Sequence, residues 1–167
     1  GCELPVGIVS GSGNQGMTAT LPVIAYAKEI GATQEKLLRA VLISDLITIH
    51  QKTGIGRLSA FCGATSAGIA WLDGGDYEVI AHTIVNGLAI LSGMVCDGAK
   101  PSCAAKIATA VRNGLLGYQM YRQGCQFYGG DGIVTKGVEN TIANVGRLAN
   151  RGMRSTDCEI LNIMIGN

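Results

Sequence analysis

From Met17 to Ile30 the apolar residues recur at helical spacing and Gly31 stops the run, with Pro22 placed for a first turn or a kink. Thr33 then caps a second helix. Its apolar face is drawn by Leu37, Leu38, Val41, Leu42, Leu46, Ile47 and Ile49, and Gly54 closes it. The stretch "SAFCGATSAGIAWL" follows, with small residues at Ala60, Gly63, Ala64, Ala67 and Gly68 that suit a helix pressed against others, and Asp73 to Asp76 is the turn after it. Tyr77 to Val95 is apolar nearly all round, which predicts a buried central helix. "CDGAKPSC" interrupts the pattern, and Pro101 opens another helix to about Leu116. A Gly- and Tyr-rich segment, 117–132, separates it from two short helical patterns at about 137–150 and 156–165. The expected fold is all-α: a single compact helical domain with a glycine-rich N-terminal loop and a buried central helix.

That loop carries the first candidate chemistry. "VGIVSGSGNQG" sets an apolar run ahead of Gly11-x-Gly13-x-x-Gly16, a spacing shared with dinucleotide sites. A dinucleotide fold then needs a second buried strand bearing an acidic residue for the ribose, whereas 31–52 reads as helix throughout, so NAD is not expected. What remains is a glycine loop before a helix N-terminus, whose free N–H groups can hold a phosphate or carboxylate. A plain turn using glycine for backbone freedom fits equally well.

Charge and composition narrow the classes. Thirteen basic and 12 acidic side chains nearly cancel and no basic run suggests a phosphate backbone, which argues against nucleic acid as a partner. With 47% apolar residues, only 5% aromatics and 25 glycines, the core is expected to pack by close backbone approach. The uncharged stretch from Val79 to Cys96 has the length of a membrane span, but it carries His82, Asn86, Gly87, Ser92 and Gly93 and lacks basic flanks, so no membrane insertion is expected. The chain begins Gly-Cys-Glu with neither methionine nor a secretory leader, and reads as a fragment.

Six cysteines without a leader argue for a reducing cytoplasm rather than a disulfide framework. Cys62, Cys96 and Cys103 are spaced C-x33-C-x6-C, the last two flanking a loop that also holds Asp97, Gly98 and Lys100. Three thiolates without an evident fourth match an iron-sulfur cluster that keeps one iron open, whereas structural zinc wants four ligands in shorter paired spacings. Cysteine also packs as a small buried hydrophobe, and on the spacing alone that reading is favoured over cluster ligands. Cys125 and Cys158 are expected to be structural.

"GSGNQG", "FCGATSAG", "GMVCDGAKPSCAAK" and "GVENTIANVGRLANRGMRSTDCEILNIMIGN" together resemble the C-terminal part of the bacterial and archaeal L-cysteine desulfidases, related to the alpha domain of iron-sulfur L-serine dehydratases. The resemblance covers essentially the whole chain, 1–167. It implies an all-helical domain and an oxygen-sensitive [4Fe-4S] cluster held by Cys62, Cys96 and Cys103, with one iron free for substrate and no pyridoxal phosphate. It implies β-elimination from L-cysteine or L-serine to pyruvate and ammonia, with release of sulfide or water. Ser12, Gly13, Asn14, Gln15 and Gly16 would bind the substrate carboxylate through N–H groups and the Asn14 and Gln15 amides. The family's enzymes are much longer, so an N-terminal or beta-like portion is expected as partner and as the source of the general base. Cys2 is not given the role of the desulfidases' N-terminal cysteine.

Lys100 is a further candidate for the carboxylate, set against the ordinary reading of a solvated loop lysine; Asp97 is similar. Of the two histidines, His50 lies near a helix end and His82 is expected to be a hydrogen-bonded core residue rather than a base. Asp131 in "GGDG" could order a turn near the site, with plain turn chemistry the commoner use, and Tyr118, Tyr121 and Tyr128 fit packing with one polar end while lying close enough in sequence to contribute a site hydroxyl. The alternative function is a non-catalytic small-molecule-binding or assembly module of the same fold; a zinc-stabilised helical domain ranks after it. A homo-oligomer is compatible with either.

Overall fold

The computed structural model describes residues 3–55, 63–95, 97–98 and 100–166. Among them are seven α-helices and no sheet: α1 Gly13–Glu29, α2 Gln34–Ile55, α3 Gly63–Leu72, α4 Tyr77–Ile90, α5 Ser102–Arg122, α6 Val138–Arg147 and α7 Arg154–Ile165, with a π-helical turn, Leu148–Gly152, between the last two. No described helix is long and apolar enough to cross a membrane.

Helix α1 starts earlier than its apolar pattern, because Ser12 caps it and the first turn is polar and glycine-rich. Pro22 therefore lies inside the helix rather than in its first turn. Proline has no N–H for the Thr18 carbonyl four residues back, and the Thr65 hydroxyl of α3 donates to that oxygen instead, at 2.6 Å. Helix α4 ends at Ile90, short of the expected Val95, where Gly93 takes φ +129 and the Ser92 hydroxyl donates to the Leu88 carbonyl at 2.9 Å. Helix α5 runs on through Gly117 to Arg122. A Cβ at Gly117 would stand 2.9 Å from the Gly87 nitrogen, so this glycine serves the α4 contact and does not stop the helix.

The expected face of α2 needs correcting. Leu37, Val41 and Ile47 pack inward, but Leu38, Leu42, Leu46 and Ile49 are 45–59% exposed. The fully buried positions are Ala40, Ser44, Thr48 and Gln51, one turn apart along a thinner face. Small residues are needed there because α3 presses close: a Cβ on Gly68 would meet the Ala40 carbonyl at 2.8 Å.

Contacts fix the helix directions. Thr18 meets Thr65 and Tyr26 meets Asp73, so α1 and α3 run parallel. Gly68 touches both Val23 and Ala40, and the Ser44 hydroxyl donates to the Ala19 carbonyl at 2.7 Å, so α2 is antiparallel to both. The short turn 73–76 returns α4 against α3, with Ala67, Ile84 and Leu88 in one cluster completed by Ile142 and Val145 of α6. Asn86 and Asn113 then bind the Gly117 and Gly87 carbonyls across α4 and α5, which makes α5 antiparallel to α4. One end of the bundle therefore gathers the N-termini of α1, α3 and α5 with the C-termini of α2 and α4.

The opposite end is pinned by Asp73. Its carboxylate accepts from the Tyr26 and Tyr118 hydroxyls at 2.5 and 2.7 Å. The Asp73 bond pushes the Tyr26 phenol up to about 12, and burial raises Tyr118.

Candidate functional site at one end of the bundle

The glycine loop enters α1 through a two-residue reversal: Val9 and Ser12 exchange backbone hydrogen bonds at 3.2 Å around Ser10 and Gly11, both at positive φ. The Ser12 hydroxyl accepts from the Gln15 N–H at 3.3 Å, and the first-turn N–H groups of Gly13 and Asn14 have no intrahelical acceptor. Gly16 is buried where the 7–9 segment crosses the helix; a Cβ there would lie 2.1 Å from the Gly7 carbonyl. Gln15 is 3% exposed and its Nε2 has no hydrogen-bond partner among the described residues. The Asn14 carbonyl accepts from Thr18 at 2.7 Å.

At the same end, Cys103 stands in the first turn of α5, a free and half-buried thiol 3.3 Å from the Gly98 carbonyl. Cys62 and Cys96 lie outside the described residues; in sequence they directly precede Gly63, which opens α3, and Asp97. Among the described residues no group of three or more His, Cys, Asp or Glu is disposed to hold a metal ion. Lys100 is exposed and 3.8 Å from Asp97. Lys106 holds Asp97 at 2.5 Å, and this hydrogen bond keeps the Asp97 carboxyl below the usual carboxylate range. Asp97 is thus engaged with lysines.

The first turns of α1, α3 and α5 contain no acidic residue, whereas α2, α4, α6 and α7 carry Glu35, Glu78, Glu139 and Asp157 there. Acidic side chains ordinarily offset the positive end of the helix dipole. The three N-termini that meet are the three left without one, so no acidic side chain of their own competes with an anion for their first-turn N–H groups. Sequence reading found the glycine loop but not this asymmetry, which becomes visible only once helix starts and directions are known.

Other candidates fall elsewhere. His82 is stacked on Tyr121, ring centroids 4.8 Å apart, and its buried Nδ1 has no hydrogen-bond partner among the described residues, so that nitrogen does not make the core hydrogen bond expected. It lines a hollow of about 340 Å³ with Phe127 and Lys136, beside the start of α4 and away from the glycine loop. His50 meets Glu139 at 2.7 Å on the surface. Tyr118 spends its hydroxyl on Asp73, and Asp131 closes a turn by accepting from the Tyr128 N–H at 2.6 Å. Cys125 and Cys158 are exposed free thiols, not packed ones.

Against known sequences, the profile of the serine dehydratase alpha chain matches residues 1–162. The chain belongs to the serine dehydratase alpha chain family. Similar proteins include a UPF0597 protein of Desulfitobacterium hafniense, 67% identical over 99% of this chain, and others of Treponema denticola, 50% identical over 99%, and Lachnoclostridium phytofermentans, 54% identical over 99%. The chain spans 40–41% of the length of these relatives. No solved structure matches it.

Proposed function

We propose that this chain is the cluster-bearing part of a longer, pyridoxal-phosphate-independent lyase that eliminates the β substituent of L-serine or L-cysteine, giving pyruvate and ammonia with water or sulfide. The observation that carries this is the meeting of three acid-free helix N-termini at one end, with a free cysteine and an orphaned glutamine amide among them. Membership of the serine dehydratase alpha chain family supports this class of reaction.

Cys62, Cys96 and Cys103 would hold a [4Fe-4S] cluster. The chemistry of the donors fits so far as it is described: Cys103 is a free thiol, and the neighbouring Asp97 is occupied by lysines and does not compete as a ligand. When bound, such a cluster supplies a Lewis-acidic iron for the β leaving group. The chain's own task is to fix the substrate. Within the Ser12 to Gly16 loop, the N–H groups of Gly13 and Asn14, which the turn leaves without acceptors, and the Gln15 side-chain amide would take its carboxylate, with the Asn14 side chain beside them, and Lys100 would add positive charge at the same end. Holding the carboxylate restricts how the substrate can turn in the site, the first requirement for presenting its Cα–H bond to a base. We assign the base to the remainder of the longer protein, since His82 lies away from the glycine loop and His50 is engaged at the surface by Glu139. The thiol count fits a reducing cytoplasm.

The test is pyruvate release by the full-length protein, reconstituted anaerobically with iron and sulfide, from L-serine and from L-cysteine. Turnover of one of them, lost on exposure to air, is the expected result. Amino-acid binding without turnover by cluster-loaded protein would favour the non-catalytic binding module instead.

A further inference from the structure

The inner face of α2 changes character along its length. Ala40 is apolar and the Ser44 hydroxyl donates to the Ala19 carbonyl at 2.7 Å, but the side chains of Thr48 and Gln51, both fully buried, have no hydrogen-bond partner among the described residues. Thr48 Oγ1, both amide atoms of Gln51, Gln15 Nε2 and Asp45 Oδ1 are buried without a hydrogen-bond partner among the described residues. A buried polar group left unpaired costs its full desolvation, so folds rarely keep several together for packing alone.

Their placement is orderly. With Val23 opposite Ala40 and Ala19 opposite Ser44, the next turn of this antiparallel pair sets Gln15 level with Thr48. Asp45 and Gln51 stand three residues before and after Thr48, neighbours on one side of α2. All four side chains therefore fall within two turns, at the end where the helix N-termini meet.

The atoms are of two kinds. Gln15 Nε2 donates and Asp45 Oδ1 accepts, Thr48 does either, and Gln51 offers one of each. A simple anion would satisfy the donors and leave Asp45 and the Gln51 carbonyl without partners. A zwitterion satisfies both kinds. The geometry points to Asp45, Thr48 and Gln51 as the group that receives the ammonium of an α-amino acid, while Gln15 and the α1 N-terminus take its carboxylate. This rests on the amino-acid reading above and adds which end of the ligand lies on which helix. Burial by itself raises the Asp45 carboxyl above its ordinary range, a cost that an adjacent ammonium relieves. With one helix on each charged group, the Cα–H bond has a single direction.

The experiment is calorimetric binding to the full-length protein, using L-serine and its des-amino analogue 3-hydroxypropionate as probes. Asp45→Asn is expected to weaken L-serine by about tenfold or more and to leave 3-hydroxypropionate within about twofold, as expected for loss of a charge-assisted hydrogen bond to the ammonium alone, and Gln51→Leu, which removes a donor as well as an acceptor, to weaken L-serine more than 3-hydroxypropionate. Thr48→Val, close to isosteric, should show a smaller loss of the same selectivity, and Gln51→Glu should keep L-serine binding. Melting temperature and helix content of each variant separate loss of fold from loss of contact. If the wild type binds L-serine and the variants bind it equally well, the α2 assignment is overturned while the amino-acid reading stands. Equal weakening of both probes in folded variants would also overturn the assignment, by showing a general structural role. A wild type that binds neither probe overturns both.

Discussion

Gly16 shows how much of the site one position can decide. Its missing side chain admits the 7–9 backbone, and an added Cβ would fall 2.1 Å from the Gly7 carbonyl, far inside contact distance. Gly16→Ala must push that segment off α1. The expected result is a loss of about 1–3 kcal/mol in stability, the usual range for overpacking, together with loss of amino-acid binding, read by thermal melting and calorimetry. A variant as stable and as competent as the wild type would mean that the loop does not need its crossing over α1. The glycine spacing was legible in the sequence; its purpose was not. Gly11 serves the turn, with φ +75, and Gly16 serves the crossing, so the dinucleotide-like pattern arises from two separate demands.

At the scale of elements, the helical period located the helices well and their faces less well. In α2 two sets of positions share the period, one aliphatic (Leu38, Leu42, Leu46, Ile49) and one small or polar (Ala40, Ser44, Thr48, Gln51). Ranking by hydrophobicity puts the wrong set inside, because close approach to Gly68 selects for size, and polarity inside follows from the neighbouring α1 carbonyls and the candidate site. Pro22 was likewise visible as a helix-breaking residue, but the hydroxyl that compensates for it comes from 43 positions further on, Thr65. Thr65→Val should therefore cost roughly 1–3 kcal/mol, because it strands the buried Thr18 carbonyl. Pro22→Ala returns an N–H to that carbonyl, so the double variant should lose less than Thr65→Val alone, a coupling that a double-mutant cycle measures. Strictly additive losses would contradict the exchange of partners.

For the whole molecule, the directions of α1 to α5 matter more than any single motif. They bring the glycine loop and Cys103 to one end, with the helix whose first residue follows Cys62. The absence of acids from three first turns is written in the sequence, but it has meaning only after topology shows that those three turns meet. The relatives extend well beyond this chain, and the base and full activity are accordingly assigned to the complete protein. The central claim, that this end holds an iron-sulfur cluster on Cys62, Cys96 and Cys103, is tested most directly by iron and acid-labile sulfide after anaerobic reconstitution, comparing the wild type with Cys103→Ala. Near-equal iron and sulfide in the wild type, lost in the variant while its helix content is kept, is the predicted result. Iron and sulfide retained in full by the variant, or absent from both, would contradict it.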